Sequence, residues 1–89
     1  MTVERADGAD GVLELTLYGR LECPLCDEFK AALAAWSAAH RPVQLEVVDI
    51  DGDAALVERY QWRIPVLVAA GRELCAGHFD PARMPAGNP

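Results

Sequence analysis

Hydrophobic and polar positions change period several times along the chain. In "VLELTLY", Leu13, Leu15 and Leu17 alternate with Glu14, Thr16 and Tyr18, the two-residue repeat of a strand with one buried face. From Pro24 the repeat lengthens. Phe29, Leu33 and Trp36 recur at i, i+4 and i+7, an apolar helical face, with alanines between them that favour helix. Pro24 suits the first turn, where its missing N–H loses nothing. Asp27 and Glu28 suit the positive end of the helix dipole, and "HRP" at His40 to Pro42 ends the helix. "VQLEVVDI", Val43 to Ile50, alternates again and is rich in β-branched residues, a second strand. "DGDAALVERY" places Leu56, Val57 and Tyr60 at helical spacing behind a cap at Asp51 or Asp53. "IPVLVAA" reads as a strand opened by Pro65, and Gly71 turns it into a short return strand, "RELC". The remainder, from Ala76, holds three prolines and two glycines. It leaves room for one helical turn at Asp80 to Met84, ended by Pro85.

The predicted order is βαβ, a short helix and a ββ hairpin. A crossover helix makes the first two strands parallel neighbours, and the hairpin extends the same sheet. This is an α/β domain over 12–80, with an N-terminal tail at 1–11 and an irregular C-terminal tail at 81–89.

Charge removes whole classes of function. The 89 residues carry a formal net charge of −6, opposite to the basic footprint of a nucleic-acid binder or of a protein that docks on anionic membrane. No stretch is long and apolar enough to span a bilayer, and "MTVERADGADG" lacks the apolar run of a secretory signal. The predicted compartment is the reducing cytoplasm. A purely structural disulfide does not suit that compartment, so closely spaced cysteines there point to catalysis or metal binding.

Cys23 and Cys26 form such a pair at the junction of the first strand and first helix. They could be a redox dithiol, half of a metal site or two small buried side chains. Cys75 and His78 would complete a Cys3His zinc set by residue type. About 48 residues separate the two halves, far beyond finger spacing. Cys75 therefore reads as a small buried hydrophobe and His78 as a surface residue, with no metal ligand assigned.

Three features together resemble the thioredoxin fold, and within it the small bacterial glutaredoxin-like proteins. They are Cys23-Pro24-Leu25-Cys26 between strand and helix, Ile64-Pro65 before the third strand, and the ending "GRELCAGHFD". The resemblance covers roughly Leu13 to Asp80. It implies a βαβαββ fold with a mixed four-stranded sheet. This chain departs from the family in its final helix, which is short or missing, so that one sheet face is thinly covered. Glu14 and Thr16 fit such a face. The resemblance also implies a cis-proline at Pro65 facing the thiols, and a thiol–disulfide oxidoreductase without a resident cofactor. The substrate would be a protein disulfide or glutathione, and a separate reductant would recycle the dithiol. Arg20 stands where glutaredoxins use a lysine for a glutathione carboxylate, and Gly77 keeps part of their last loop. Leu25 replaces their usual tyrosine, and His78 and Phe79 replace the usual loop residues.

Chemistry orders the two thiols. Residues i and i+3 share a helix face, about 5–6 Å apart at Cβ, close to disulfide reach. The first sits where free N–H groups and the dipole favour an anion, so Cys23 is the attacking sulfur and Cys26 the resolving one. Ile64 would offer backbone to an extended substrate. Trp62 and Arg63 either line that groove or serve as packing and solvated surface. The alternative to an enzyme is a thioredoxin-fold binding module that docks a partner or metal through the same cysteines.

Overall fold

The computed structural model of the chain describes residues 12–85. The tail predicted at 1–11 lies outside them, as do the last four residues of the tail predicted at 81–89. The elements are β1 (Leu13–Gly19), α1 (Pro24–Ala39), β2 (Val43–Asp49), a 3-10 turn (Ile50–Gly52), α2 (Ala54–Tyr60), β3 (Val66–Ala69), β4 (Arg72–Ala76) and a last 3-10 turn (Pro81–Arg83). They form one mixed sheet in the order β2-β1-β3-β4. β1 runs parallel to β2 and antiparallel to β3, and β3 and β4 are antiparallel. This is the thioredoxin-like α/β arrangement that the resemblance implies, with a single 3-10 turn in place of a final helix.

Local chemistry sets the breaks. Ile50 leaves the predicted second strand and opens the 3-10 turn, because the Asp49 carboxylate accepts the Asp51 N–H at 3.0 Å. Two residues later Asp53 caps α2 by accepting the Ala55 N–H at 2.8 Å. The β3–β4 hairpin turns on Ala70 and Gly71, both left-handed at φ 51° and 79°, the pattern of a two-residue type I′ turn.

The sheet faces differ. On one, α1 lays Phe29, Leu33 and Trp36 over Leu15, Leu17, Leu67 and Cys75, and Met84 from the last turn joins them. On the other, Ile50 and Tyr60 cover Val66, with Tyr18 stacked on Tyr60 at 4.6 Å. Glu14 and Thr16 lie along an open groove of about 450 Å³ with Gln44, Glu46 and Val68. This corrects the reason expected for their polarity. The C-terminal segment packs on the α1 face, so a missing final helix does not leave Glu14 and Thr16 bare. They are polar because α2 has only seven residues and stops short of them.

The register also builds one end of the sheet. Tyr18 pairs with Val66, and Val66 with Ala76. The next residues outward are Gly19, Pro65 and Gly77, which places the ends of three strands beside the loop that carries Cys23.

Candidate functional site

α1 begins directly on the dithiol. Cys23 is its N-cap, extended at φ −115° and ψ 108°, and Pro24 follows in the first turn. Before it, Glu22 takes a left-handed φ of 55°, which turns the chain sharply into the helix at some conformational cost. The Cys23 Sγ accepts the backbone N–H of Cys26 at 3.3 Å, one of the donors that a helix start leaves without a partner. Cys23 is half-buried, and all three cysteines carry free thiols.

Cys26 is in contrasting surroundings. It is 4% exposed, on the face of α1 that carries Phe29 and Leu33. Burial, and then its hydrogen bond to Cys23, push its thiol up to about 11, although the backbone N–H of Arg20 pulls the other way. The sulfur fits only because position 19 lacks a side chain. A Cβ on Gly19 would stand 2.8 Å from the Cys26 Sγ, nearer than packed atoms approach. No pattern in the sequence marks Gly19 for this place.

The third strand begins at a cis Ile64–Pro65 bond. Pro65 is fully buried, and its carbonyl accepts the N–H of Gly77 at 2.8 Å. Gly77 needs its glycine, since it holds φ 84°. The Ile64 N–H donates to the Tyr60 carbonyl at 3.1 Å. Backbone pairing with an extended substrate would therefore fall to the Ile64 carbonyl. Trp62 is 88% exposed and packs onto neither helix nor sheet.

The two arginines singled out in the sequence are already engaged. The Arg20 Nε lies 3.0 Å from the Asp51 carboxylate, and Arg63 pairs with Glu73. Neither carboxylate was foreseen, because their partners stand 31 and 10 residues away with no spacing rule to join them. Cys75 is buried in the α1-face core, and burial raises its thiol. His78 is exposed and borders, with Leu25, Glu28 and Gly77, a groove of about 200 Å³ floored by Phe29 and Phe79. Those two rings meet edge to face at 5.6 Å. Among the described residues no three His, Cys, Asp or Glu side chains converge in a way that could hold a metal ion. Nor is any helix there long and apolar enough to cross a membrane.

Comparison with known proteins agrees with this geometry. Two solved structures resemble the chain over most of its length. A protein of Nitrosomonas europaea, determined by NMR in solution, is 38% identical with a TM-score of 0.71, over 79% of this chain and 84% of that one. An X-ray structure from X. campestris is 46% identical with a TM-score of 0.63, over 78% of this chain and 87% of that one. Both were structural-genomics targets. No curated protein matches the chain. Residues 14–86 match the family described as glutaredoxin-like domain (DUF836). With the dithiol at the head of α1 and a mixed four-stranded sheet behind it, the chain belongs to this glutaredoxin-like family.

Proposed function

We propose that the protein is a thiol–disulfide oxidoreductase in which Cys23 attacks and Cys26 resolves. The observation that carries the reading is the unequal placement of the two sulfurs. Cys23 caps a helix, is half-open to solvent and accepts an N–H, whereas Cys26 is dry and keeps its proton. Exchange begins when the Cys23 thiolate attacks one sulfur of a substrate disulfide. That S–S bond breaks, a mixed disulfide forms, and the leaving sulfur takes a proton. Cys26 then loses its proton and attacks the Cys23 Sγ. The substrate departs with its second thiol, and the Cys23–Cys26 disulfide remains. Two electrons have passed to the substrate. A thiol reductant, glutathione or a dithiol reductase, returns them in a reducing compartment such as the cytoplasm.

The setting of the site favours a protein disulfide over glutathione. Arg20 and Arg63, the cations that could receive a glutathione carboxylate, are held by Asp51 and Glu73. Exposed Trp62 and Leu25 and the Ile64 carbonyl suit an extended polypeptide. Gly77 holds the Pro65 carbonyl in place and so positions that turn.

Trapping tests the assignment. Cys26→Ser should accumulate a mixed disulfide with an added disulfide peptide, since attack survives and resolution does not. Cys23→Ser should accumulate none. Equal trapping by both variants would reverse the roles. Absence of any exchange by the wild-type dithiol would leave the binding-module reading in its place.

A further inference from the structure

Behind the dithiol, on the β2 side of α1, a recess of about 190 Å³ is lined by Leu17, Gly19, Leu21, Cys26 and Val47 beneath a charged rim. It is smaller than the ~300–1,000 Å³ of small-molecule sites, so it accommodates one side chain and not a whole glutathione. Two of its walls are among the few large apolar side chains left in solvent in the described residues, Leu21 at 78% and Val47 at 53%. They offer surface to a hydrocarbon stem.

The rim decides what ends that stem. Its two cations are satisfied within the chain, Arg20 by Asp51 at 3.0 Å and Lys30 by Asp27 at 3.7 Å. Its other charges are the Glu22 and Asp49 carboxylates, and neither has a cation partner among the described residues. Asp49 only accepts a backbone N–H. An apolar throat with uncompensated carboxylates at its mouth complements a long aliphatic side chain that ends in a positive charge. The overall charge of −6 attracts such a partner before contact.

We infer that this recess receives a lysine or arginine side chain flanking the disulfide of a protein substrate, so that the protein selects basic disulfide-bearing polypeptides. The inference rests on the oxidoreductase reading. Glu22 immediately precedes Cys23, so a substrate sulfur held at Cys23 brings its flanking residues to the mouth of the recess.

The test is single-turnover reduction of three disulfide-linked peptides by pre-reduced full-length protein, which removes any need for a recycling reductant. The peptides differ only in the residue next to cysteine: lysine, norleucine or glutamate. At low salt the lysine peptide should react about fivefold faster than the norleucine peptide, and the glutamate peptide slowest. The preference should shrink as ionic strength rises. In the double variant Glu22→Gln, Asp49→Asn, the ratio of lysine to glutamate rates should fall towards one. Using the ratio cancels any change in the thiol chemistry itself. Equal rates for all three peptides with wild-type protein would overturn the basic-residue site and leave the oxidoreductase reading standing. So would a lysine preference that the double variant keeps. Reaction with none of the peptides would overturn both.

Discussion

Cys23 and Cys26 stand one helical turn apart, yet they occupy opposite environments. The first lies at the rim, where α1 begins and a backbone N–H points at its sulfur. The second lies beneath, 4% exposed, on the α1 face that also buries Phe29 and Leu33. The backbone sets the first environment, because any helix start offers unpaired donors. Tertiary packing sets the second: a strand end without a side chain, an apolar helix face and the sheet below. In the proposed exchange this difference divides the labour, since one sulfur must be reachable and the other must wait protonated until a mixed disulfide forms. Each environment can be disturbed without the other.

The largest effect should come from emptying the core on the α1 face that also carries Cys26. Phe29→Ala deletes a fully buried ring that also meets Phe79 edge-on, and should cost about 3–5 kcal/mol in urea unfolding. In the fraction still folded, Cys26 should become reactive to alkylation. If it stays as protected as before, Phe29 does not keep it dry.

Alkaline pH attacks the same environment through the proton. The Cys26 thiol sits at about 11 in the folded protein, above the ~8.5 of an unfolded chain. The fold therefore prefers the protonated form. That contribution is complete below about pH 8.5 and is lost as pH climbs towards 11. Denaturation curves of reduced protein at pH 8 and pH 10.5 should show this loss, and Cys26→Ala should lack the part due to Cys26. An identical alkaline loss in the variant would refute it.

Gly19→Ala should push on Cys26 from the strand side. With a Cβ 2.8 Å from the sulfur, something must move, at about 1–2 kcal/mol. Resolution of a preformed mixed disulfide at Cys23 should slow by more than its formation does. Equal slowing of both steps would mean that Gly19 does not place Cys26.

The smallest effect is a control remote from both thiols. Ala70 holds a left-handed φ of 51° in the hairpin turn, where alanine is costly and asparagine or glycine is not. Ala70→Gly should raise stability by about 0.5–1 kcal/mol. Both alkylation rates should stay unchanged, as read by thermal melting and peptide mapping.

These contrasts also show what the sequence makes legible. Alternating Leu13, Leu15 and Leu17, and the i, i+4, i+7 set on α1, announce strand and helix because burial of a single face requires those periods. Cys-Pro-x-Cys at a strand–helix junction announces the dithiol, since the pattern is local. What stayed hidden is contact between distant residues. Arg20 finds Asp51 and Arg63 finds Glu73 only after folding. Ile50 looks like the end of a strand until the Asp49 cap bends it into the other core. Trp62, large and apolar, looked fit for core or groove, and the turn after α2 simply carries it into solvent. Gly19 carries no signal beyond its glycine, because the atom it makes room for lies on another element.

The division of roles meets its most direct test in competition alkylation of the reduced native protein. With limiting iodoacetamide near neutral pH, followed by peptide mapping, Cys23 should be labelled first by a wide margin. Cys26 and Cys75 should react only on unfolding. Labelling of Cys26 ahead of Cys23, or of both at matching rates, would contradict the account.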